Sequence, residues 1–405
     1  MLEHSYSESF LRAIPKTDLH VHLDGSLRLS TLIDLAKEHS VGLPSFTESG
    51  MRDLVFKEAY ANLDEYLTGF MWTTAVMQTP EALQRVAYEL AMDNAQEGVR
   101  YLEVRFAPQL HMSSTLSFEQ VMTSVDAGLR QAAREITEQD TTIPPFKYGI
   151  IVCAMRFFTA EFSPYYATLA AGLQFSTLRE IQQLAGYELA RAATRLRDTS
   201  DVQIVGFDLA GSERGNPAGS HRKAFAHTHE NFLHKTVHAG EAYGPESIFQ
   251  AITMLHADRI GHGLHLFDAD MIENPEITNT HQYVERLANS IAENRTTVEV
   301  CLTSNLQTSP DIQNIRDHSF ARMLEYGLSV TLCTDNRLVS NTSVTEEIQL
   351  AVNSFDISPD QLRNIIIHGF KRSFYYGSYA EKRRYVRQVI DYYDTVYQDF
   401  LRKRR

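Results

Sequence analysis

Four short stretches, far apart along the chain, hold side chains able to bind one metal ion and to work beside it. They are His20-Val-His22, His238-Ala-Gly-Glu241, His262 between Gly261 and Gly263, and Asp335 within Cys333-Thr-Asp-Asn336. On an extended strand side chains alternate, so His20 and His22 face the same way and can offer imidazole nitrogens to one ion. His20, His22, His238 and Asp335 together leave a position open for water, the arrangement in which a catalytic zinc makes a nucleophile near neutral pH. One Zn2+ per chain and metal-assisted hydrolysis are the expectation. Glu241 follows His238 by three residues, where a carboxylate can reach a substrate without binding the metal. His262, flanked by glycines, leaves room for close approach of backbone and ligand. Each has an ordinary alternative when taken alone: an incidental strand pair for His20 and His22, a helix N-cap or turn for Asp335, a solvated loop for Glu241, a hydrogen-bonded core imidazole for His262. Their convergence carries the reading. His227 and His229 repeat the spacing inside 218–233, a stretch of helical character where positions two apart diverge. With His221 and His234 they are expected on the surface.

Residues so distant in sequence meet only on a scaffold that brings strand ends together. Eight short β-like runs can be placed, at 17–23, 100–107, 148–155, 202–209, 235–239, 259–264, 297–302 and 329–334. Each is followed by polar or helical sequence, the alternation of parallel βα units. Eight is the number of strands in a (β/α)₈ TIM barrel, whose chemistry sits at the C-terminal strand ends, where these residues fall. The helices show stripes such as Leu83, Val86, Ala87, Leu90 and Ala91, suited to packing on a sheet. The stretch 29–96 is far longer than one crossover requires and reads as a helical insertion over the barrel mouth, with Pro44 and Pro80 near segment starts. A helical segment from 358 closes the chain, its basic tail at 401–405 a solvated helix end. Without repeats or Pro/Gly-rich linkers, 1–405 reads as a single α/β domain.

Composition narrows the function further. The 405 residues carry a formal net charge of −13, with 43% hydrophobic and 22% charged residues. That is ordinary globular composition, and its acidity argues against the basic stripes that coat nucleic acid. The N-terminal segment does not read as a secretory signal, and no run is apolar for the length of a membrane span. Cys153, Cys301 and Cys333 fall in or at the ends of apolar runs and make no disulfide framework, so a cytoplasmic setting is expected.

Several stretches, in order along most of the chain, resemble the adenosine deaminase family of zinc-dependent amidohydrolases: Pro15-Lys-Thr-Asp-Leu-His-Val-His-Leu-Asp-Gly25, Leu102-Glu-Val-Arg105, Asp208-Leu-Ala-Gly211, Val237-His-Ala-Gly-Glu241, Arg259-Ile-Gly-His-Gly263, Ser304-Asn305 and Thr334-Asp335. The resemblance implies hydrolytic deamination of adenosine, and of 2'-deoxyadenosine, to inosine and ammonia. Its partners are then a small purine nucleoside and water. It assigns zinc to His20, His22, His238 and Asp335, with His22 also beside the substrate. Glu241 becomes the proton shuttle at purine N1, and His262 orients or deprotonates the attacking water. Gly211 meets N3 through its backbone, Asp24 meets the ribose hydroxyls, and Leu63, Tyr66 and Leu67 form an apolar wall over the sugar, with Tyr66 where the family often carries Phe. Asn336 stands where many members have a second Asp at N7; its amide nitrogen can still donate there. Adenine, a modified adenosine, an aminofutalosine-type nucleoside, or a non-catalytic binding role are the competing readings. Asp24 favours a ribose, and the ligands together with Glu241 favour catalysis.

Overall fold

Each of the eight apolar runs is bounded by a crossover long enough to return the chain to the same sheet edge, so the strands align in parallel. The computed structural model describes residues 4–404; residues 1–3, which begin the N-terminal segment, and Arg405 of the basic tail lie outside the described residues. The strands are β1 Lys16–His22, β2 Val99–Phe106, β3 Lys147–Met155, β4 Ile204–Ala210, β5 His234–Ala239, β6 Arg259–His262, β7 Thr297–Val300 and β8 Val330–Leu332. They pair in sequence order, every neighbour parallel. A parallel bridge between Val21 and Asp335 closes β8 onto β1. In it Asp335 N–H donates to His20 O (2.8 Å) and His22 N–H donates to Asp335 O (2.7 Å). The eight-stranded (β/α)₈ barrel is thus the architecture, and its closing contact sets Asp335 against His20 and His22.

The last three strands end earlier than their apolar runs. His262 and Asp335 adopt left-handed backbone (φ 64° and 58°), which turns the chain out of the sheet, and after Val300 it winds directly into the helix Leu302–Thr308. Non-glycine residues in that region cost on the order of 1–3 kcal/mol each and recur at functional sites.

The stretch 29–96 forms five helices, Leu29–Glu38, Glu48–Leu54, Leu63–Leu67, Phe70–Val76 and Pro80–Gln96. The last, capped by Thr79 with Pro80 in its first turn, packs along β2 and the helix Phe118–Gln139. It is therefore the crossover every βα unit needs, and the first four are the addition. Pro44 lies in the link before Glu48–Leu54. The C-terminal segment forms the helices Pro359–Arg372 and Tyr379–Arg404.

The barrel's interior is charged at its centre. Arg105 on β2 donates to Asp208 on β4 (2.9 Å) and to Glu299 on β7 (2.8 Å), Arg259 on β6 donates to Glu299 (2.6 Å), and these side chains are almost wholly buried. Buried charges persist only when paired and hydrogen-bonded, as here.

The expected helix over 218–233 arrives as a short turn, Ala218–His221, and the helix Arg222–Glu230. His229 and His234 are exposed and His227 half-buried, but His221 is buried. This corrects the surface expectation: the turn tucks His221 against Gly186 of the preceding helix, where the absent side chain makes room for the ring.

Candidate active site

The C-terminal ends of β1, β5 and β8 bring three imidazoles and one carboxylate together. His20 Nε2 and His22 Nε2 lie 3.0 and 3.1 Å from His238 Nε2, and 3.5 and 3.4 Å from Asp335 Oδ1. The protonation of two rings follows from their far sides. His20 Nδ1 is 2.9 Å from Glu299 Oε2 and His238 Nδ1 is 3.0 Å from Asp208 Oδ2. Burial alone would raise those carboxyls, but Arg105 and Arg259 at Glu299, and His238 and Arg105 at Asp208, hold both well below their ordinary values. Ionised carboxylates only accept, so each imidazole carries a proton on Nδ1 and aims Nε2 inward, and on His238, held below the ordinary imidazole value by burial, that Nε2 is a bare lone pair. Burial and Arg105 oppose a charge on the His20 ring, but Asp335 and Glu299 outweigh them and raise it above its ordinary value, so these carboxylates favour a cation between Nε2 atoms only 3.0 Å apart. The donor set therefore fits a metal ion, with carboxylates behind two ligands fixing their orientation.

His262 Nε2 also approaches. His20, His238, His262 and Asp335 offer ligand atoms within 4.8 Å of one another, so His22 and His262 compete for one place. Ser304 donates to Asp335 Oδ2 (2.6 Å), leaving Oδ1 turned toward the rings. Gly261 is required by proximity, since a Cβ there would fall 2.9 Å from His20 Cε1.

Glu241 lies beside this cluster, its Oε1 3.5 Å from His262 Nε2. Burial, and then the neighbouring Asp335 and Glu213 carboxylates, push its carboxyl well above the usual range, which favours the protonated form. Burial and the surrounding rings hold His22, His238 and His262 below the ordinary imidazole value, which keeps them neutral.

A cavity of about 980 Å³ opens from these groups, within the size range of small-molecule sites. Every candidate residue named from the sequence lines it except His20, which lies beneath the others with no exposed surface. Leu63 and Leu67 roof it from the insertion. Asp24 is buried, and its Oδ1 has no hydrogen-bond partner. Gly211 ends β4 in a left-handed turn (φ 95°), a conformation that favours glycine and sets its backbone at the cavity edge. Tyr66 differs from an apolar wall: its hydroxyl pairs with Ser340 Oγ (2.7 Å) and accepts from Asn336 Nδ2 (2.9 Å). It buttresses Asn336, whose Oδ1 packs against Gly25 without a hydrogen-bond partner.

The family model for adenosine deaminase matches residues 15–392. The chain belongs to the adenosine deaminase family. It is 35% identical over 382 residues to the adenosine deaminase of Mycobacterium marinum, covering 94% of this chain and 95% of that one. It is 32% identical over 362 residues to that of Vibrio atlanticus, covering 89% and 94%. Among solved structures, the N6-methyl-AMP deaminase of Arabidopsis thaliana superposes with a TM-score of 0.71 at 26% identity, covering 95% and 98%. An adenine deaminase from Arthrobacter aurescens shares the fold, with a TM-score of 0.72 at 20% identity over 94% and 99%.

In this adenosine deaminase family member, several supporting residues escape the sequence reading. Glu299 and Asp208 carried a usable signal, a single acid inside a buried apolar strand, which is seldom tolerated unpaired. Glu213 carried none. Its carboxylate accepts from the N–H groups of Gly240 (2.9 Å), Glu241 (2.9 Å), Ala242 (2.7 Å) and Tyr243 (3.1 Å), and so fixes the loop that carries Glu241.

Proposed function

We propose that the protein hydrolyses the 6-amino group of adenosine, and of 2'-deoxyadenosine, to give inosine and ammonia, using one zinc ion held by His20, His22, His238 and Asp335. The observation that carries this reading is the pairing of that inward-facing donor set with a buried Glu241, its carboxyl raised well above the usual range, at the head of a cavity of about 980 Å³. A metal bound there supplies the Lewis acidity that makes water nucleophilic near neutral pH. Glu241 donates its proton to N1, which breaks the ring's aromatic character and leaves C6 open to attack. As the C6–O bond forms and the C6–N bond breaks, one of the water's protons leaves with ammonia and the other returns to Glu241. His262 faces the same reaction centre.

Substrate class follows from the cavity walls. The unpartnered Asp24 Oδ1 suits a ribose hydroxyl, and free adenine would leave that buried oxygen unsatisfied. Among the described residues no lysine or arginine lines the cavity, whereas Asp24, Asp64 and Glu161 do. A 5'-phosphate would meet carboxylates, so the site suits nucleosides over nucleotides. Gly211 is assigned to N3, Leu63 and Leu67 to the sugar, and Asn336 to N7.

The test is an ultraviolet assay of purified, metal-analysed protein on adenosine, 2'-deoxyadenosine, adenine, AMP and 7-deaza-adenosine. Turnover of the first two, lost on chelation and restored by zinc, is expected. AMP or adenine as the better substrate would overturn the nucleoside assignment. With 7-deaza-adenosine, the Asn336 N–H that is not given to Tyr66 would lack N7, which should lower kcat/KM roughly 5- to 150-fold, the effect of about 1–3 kcal/mol.

A further inference from the structure

Two histidines of the rim are backed by carboxylates, and His262 is backed by an amide. Its Nδ1 lies 3.0 Å from Asn305 Nδ2, on the helix Leu302–Thr308. The other amide atom, Asn305 Oδ1, lies 3.2 Å from His318 Nε2, and His318 Nδ1 accepts from the backbone N–H of Phe320 (3.0 Å). That N–H belongs to the first turn of Phe320–Glu325, where a helix leaves its amides without internal partners.

A backbone N–H cannot exchange roles, so it fixes the whole chain. Because His318 Nδ1 accepts, a neutral His318 carries its proton on Nε2. Burial holds His318 neutral by lowering its pKa to about 4. The Nε2–H must then meet the carbonyl oxygen of Asn305, which rules out the reversed amide and leaves Asn305 Nδ2 to donate to His262 Nδ1. With Nδ1 accepting, a neutral His262 carries its proton on Nε2, the atom facing the reaction centre.

We infer that Asn305 and His318 are positioning residues that lock His262 as an Nε2–H donor, the opposite tautomer to His20 and His238. In that state His262 has no lone pair to give a metal, which awards the contested ligand place to His22. It also cannot take a proton from water at Nε2. His262 orients an oxygen at C6 by donating to it, and Glu241 is left to receive the water's proton. This rests on the proposed deamination for its meaning, but its test does not depend on the substrate.

The experiment is long-range proton–nitrogen correlation of ring-labelled histidines in the zinc-loaded enzyme at neutral pH, with the signal assigned through His262→Gln. His262 should show a protonated Nε2 and a bare Nδ1, while His20 and His238 show the reverse. A proton on His262 Nδ1 would overturn the inference whatever the enzyme acts on, and failure of adenosine turnover would leave it standing. Asn305→Asp keeps the shape but accepts at both oxygens, so the His262 proton should move to Nδ1. kcat should then fall about 10²–10³-fold, the effect of losing one preorganised donor, with KM and zinc content nearly unchanged. His318→Gln, whose amide can still donate to Asn305 Oδ1, should retain the wild-type pattern and most of the rate. An unmoved proton in Asn305→Asp, with kcat within threefold of wild type, would also refute the relay.

Discussion

His20 and His22 stand two apart on β1, and their Nε2 atoms lie 3.5 and 3.4 Å from one oxygen of Asp335. His227 and His229 stand two apart on the helix Arg222–Glu230, and their rings go to different places. His227 meets Thr194 (3.0 Å) and the edge of Tyr187, while His229 stacks on His256 with ring centres 4.4 Å apart. The spacing is the same and the period of the element decides the outcome, since two residues span a full repeat of a strand and little more than half a helical turn. A second difference lies behind the rings. Glu299 and Asp208 stand behind His20 and His238, so the strand pair belongs to a polar lattice that crosses the barrel. His227 and His229 have no such lattice, and their loss should be local.

The largest effect expected is therefore from removing one ring of the strand pair. His20→Ala should abolish stoichiometric metal binding and lower turnover by at least about 10³-fold, the several kcal/mol that a Lewis acid supplies. His227→Ala should leave metal content and kcat within twofold. Metal analysis of the two purified variants checks the contrast, and equal metal in both would end the assignment of His20.

Glu241→Gln separates proton transfer from metal binding within the same rim. An amide cannot give N1 a proton and recover it, so kcat should fall about 10²–10⁴-fold while metal stays bound. Because the folded protein raises this carboxyl, the protonated form needed for catalysis persists to higher pH than in a free carboxyl and is lost as pH rises through the raised value. Activity in wild type should thus decline on the alkaline side through this group, and the residual rate of Glu241→Gln should lack that limb.

Glu213→Gln tests a residue that touches none of the reacting atoms. Four consecutive N–H groups converge on its carboxylate, and an amide would turn its own donors toward some of them. Misplacing Glu241 by a fraction of an ångström should cost about 10- to 100-fold in kcat, with a smaller change in KM. If KM rises while kcat is kept, Glu213 shapes the cavity and does not aim Glu241.

Which residues were legible follows from the same physics. The strand period and the apolar runs are local properties, so all eight strands, the rim histidines and Glu241 could be read directly. Asp335 was legible as a candidate, although its place beside His20 and His22 depends on the closing bridge from β8 to β1. The supports were harder, because their role exists only across the barrel. Glu299 meets residues of β1, β2 and β6 from β7, and Asn305 acquires its meaning from His318 and a backbone amide beyond it. Tyr66 looked apolar in its helix, and its hydroxyl found Ser340 and Asn336 far along the chain. His221 misled for the opposite reason: its polarity and helical surroundings suggested solvent, and the turn before the helix carried it inside.

That burial yields the smallest effect, one that leaves neutral-pH activity untouched. Burial, reinforced by the charge of Arg156, lowers the folded-state pKa of His221 from 6.5 to about 4. The unfolded chain therefore binds this proton first as pH falls. The stabilising contribution is complete above pH 6.5 and is lost as pH drops toward 4. At pH 5 the share of His221 is about 2 kcal/mol by the linkage relation. His229 on the neighbouring helix is exposed. Urea titrations at pH 7.5 and 5 should show that wild type loses more stability on acidification than His221→Gln, and that His229→Gln behaves as wild type does. Identical acid losses in wild type and His221→Gln would mean that the ring is accessible to protons in the folded state, and the contrast between the buried and exposed histidines would then vanish.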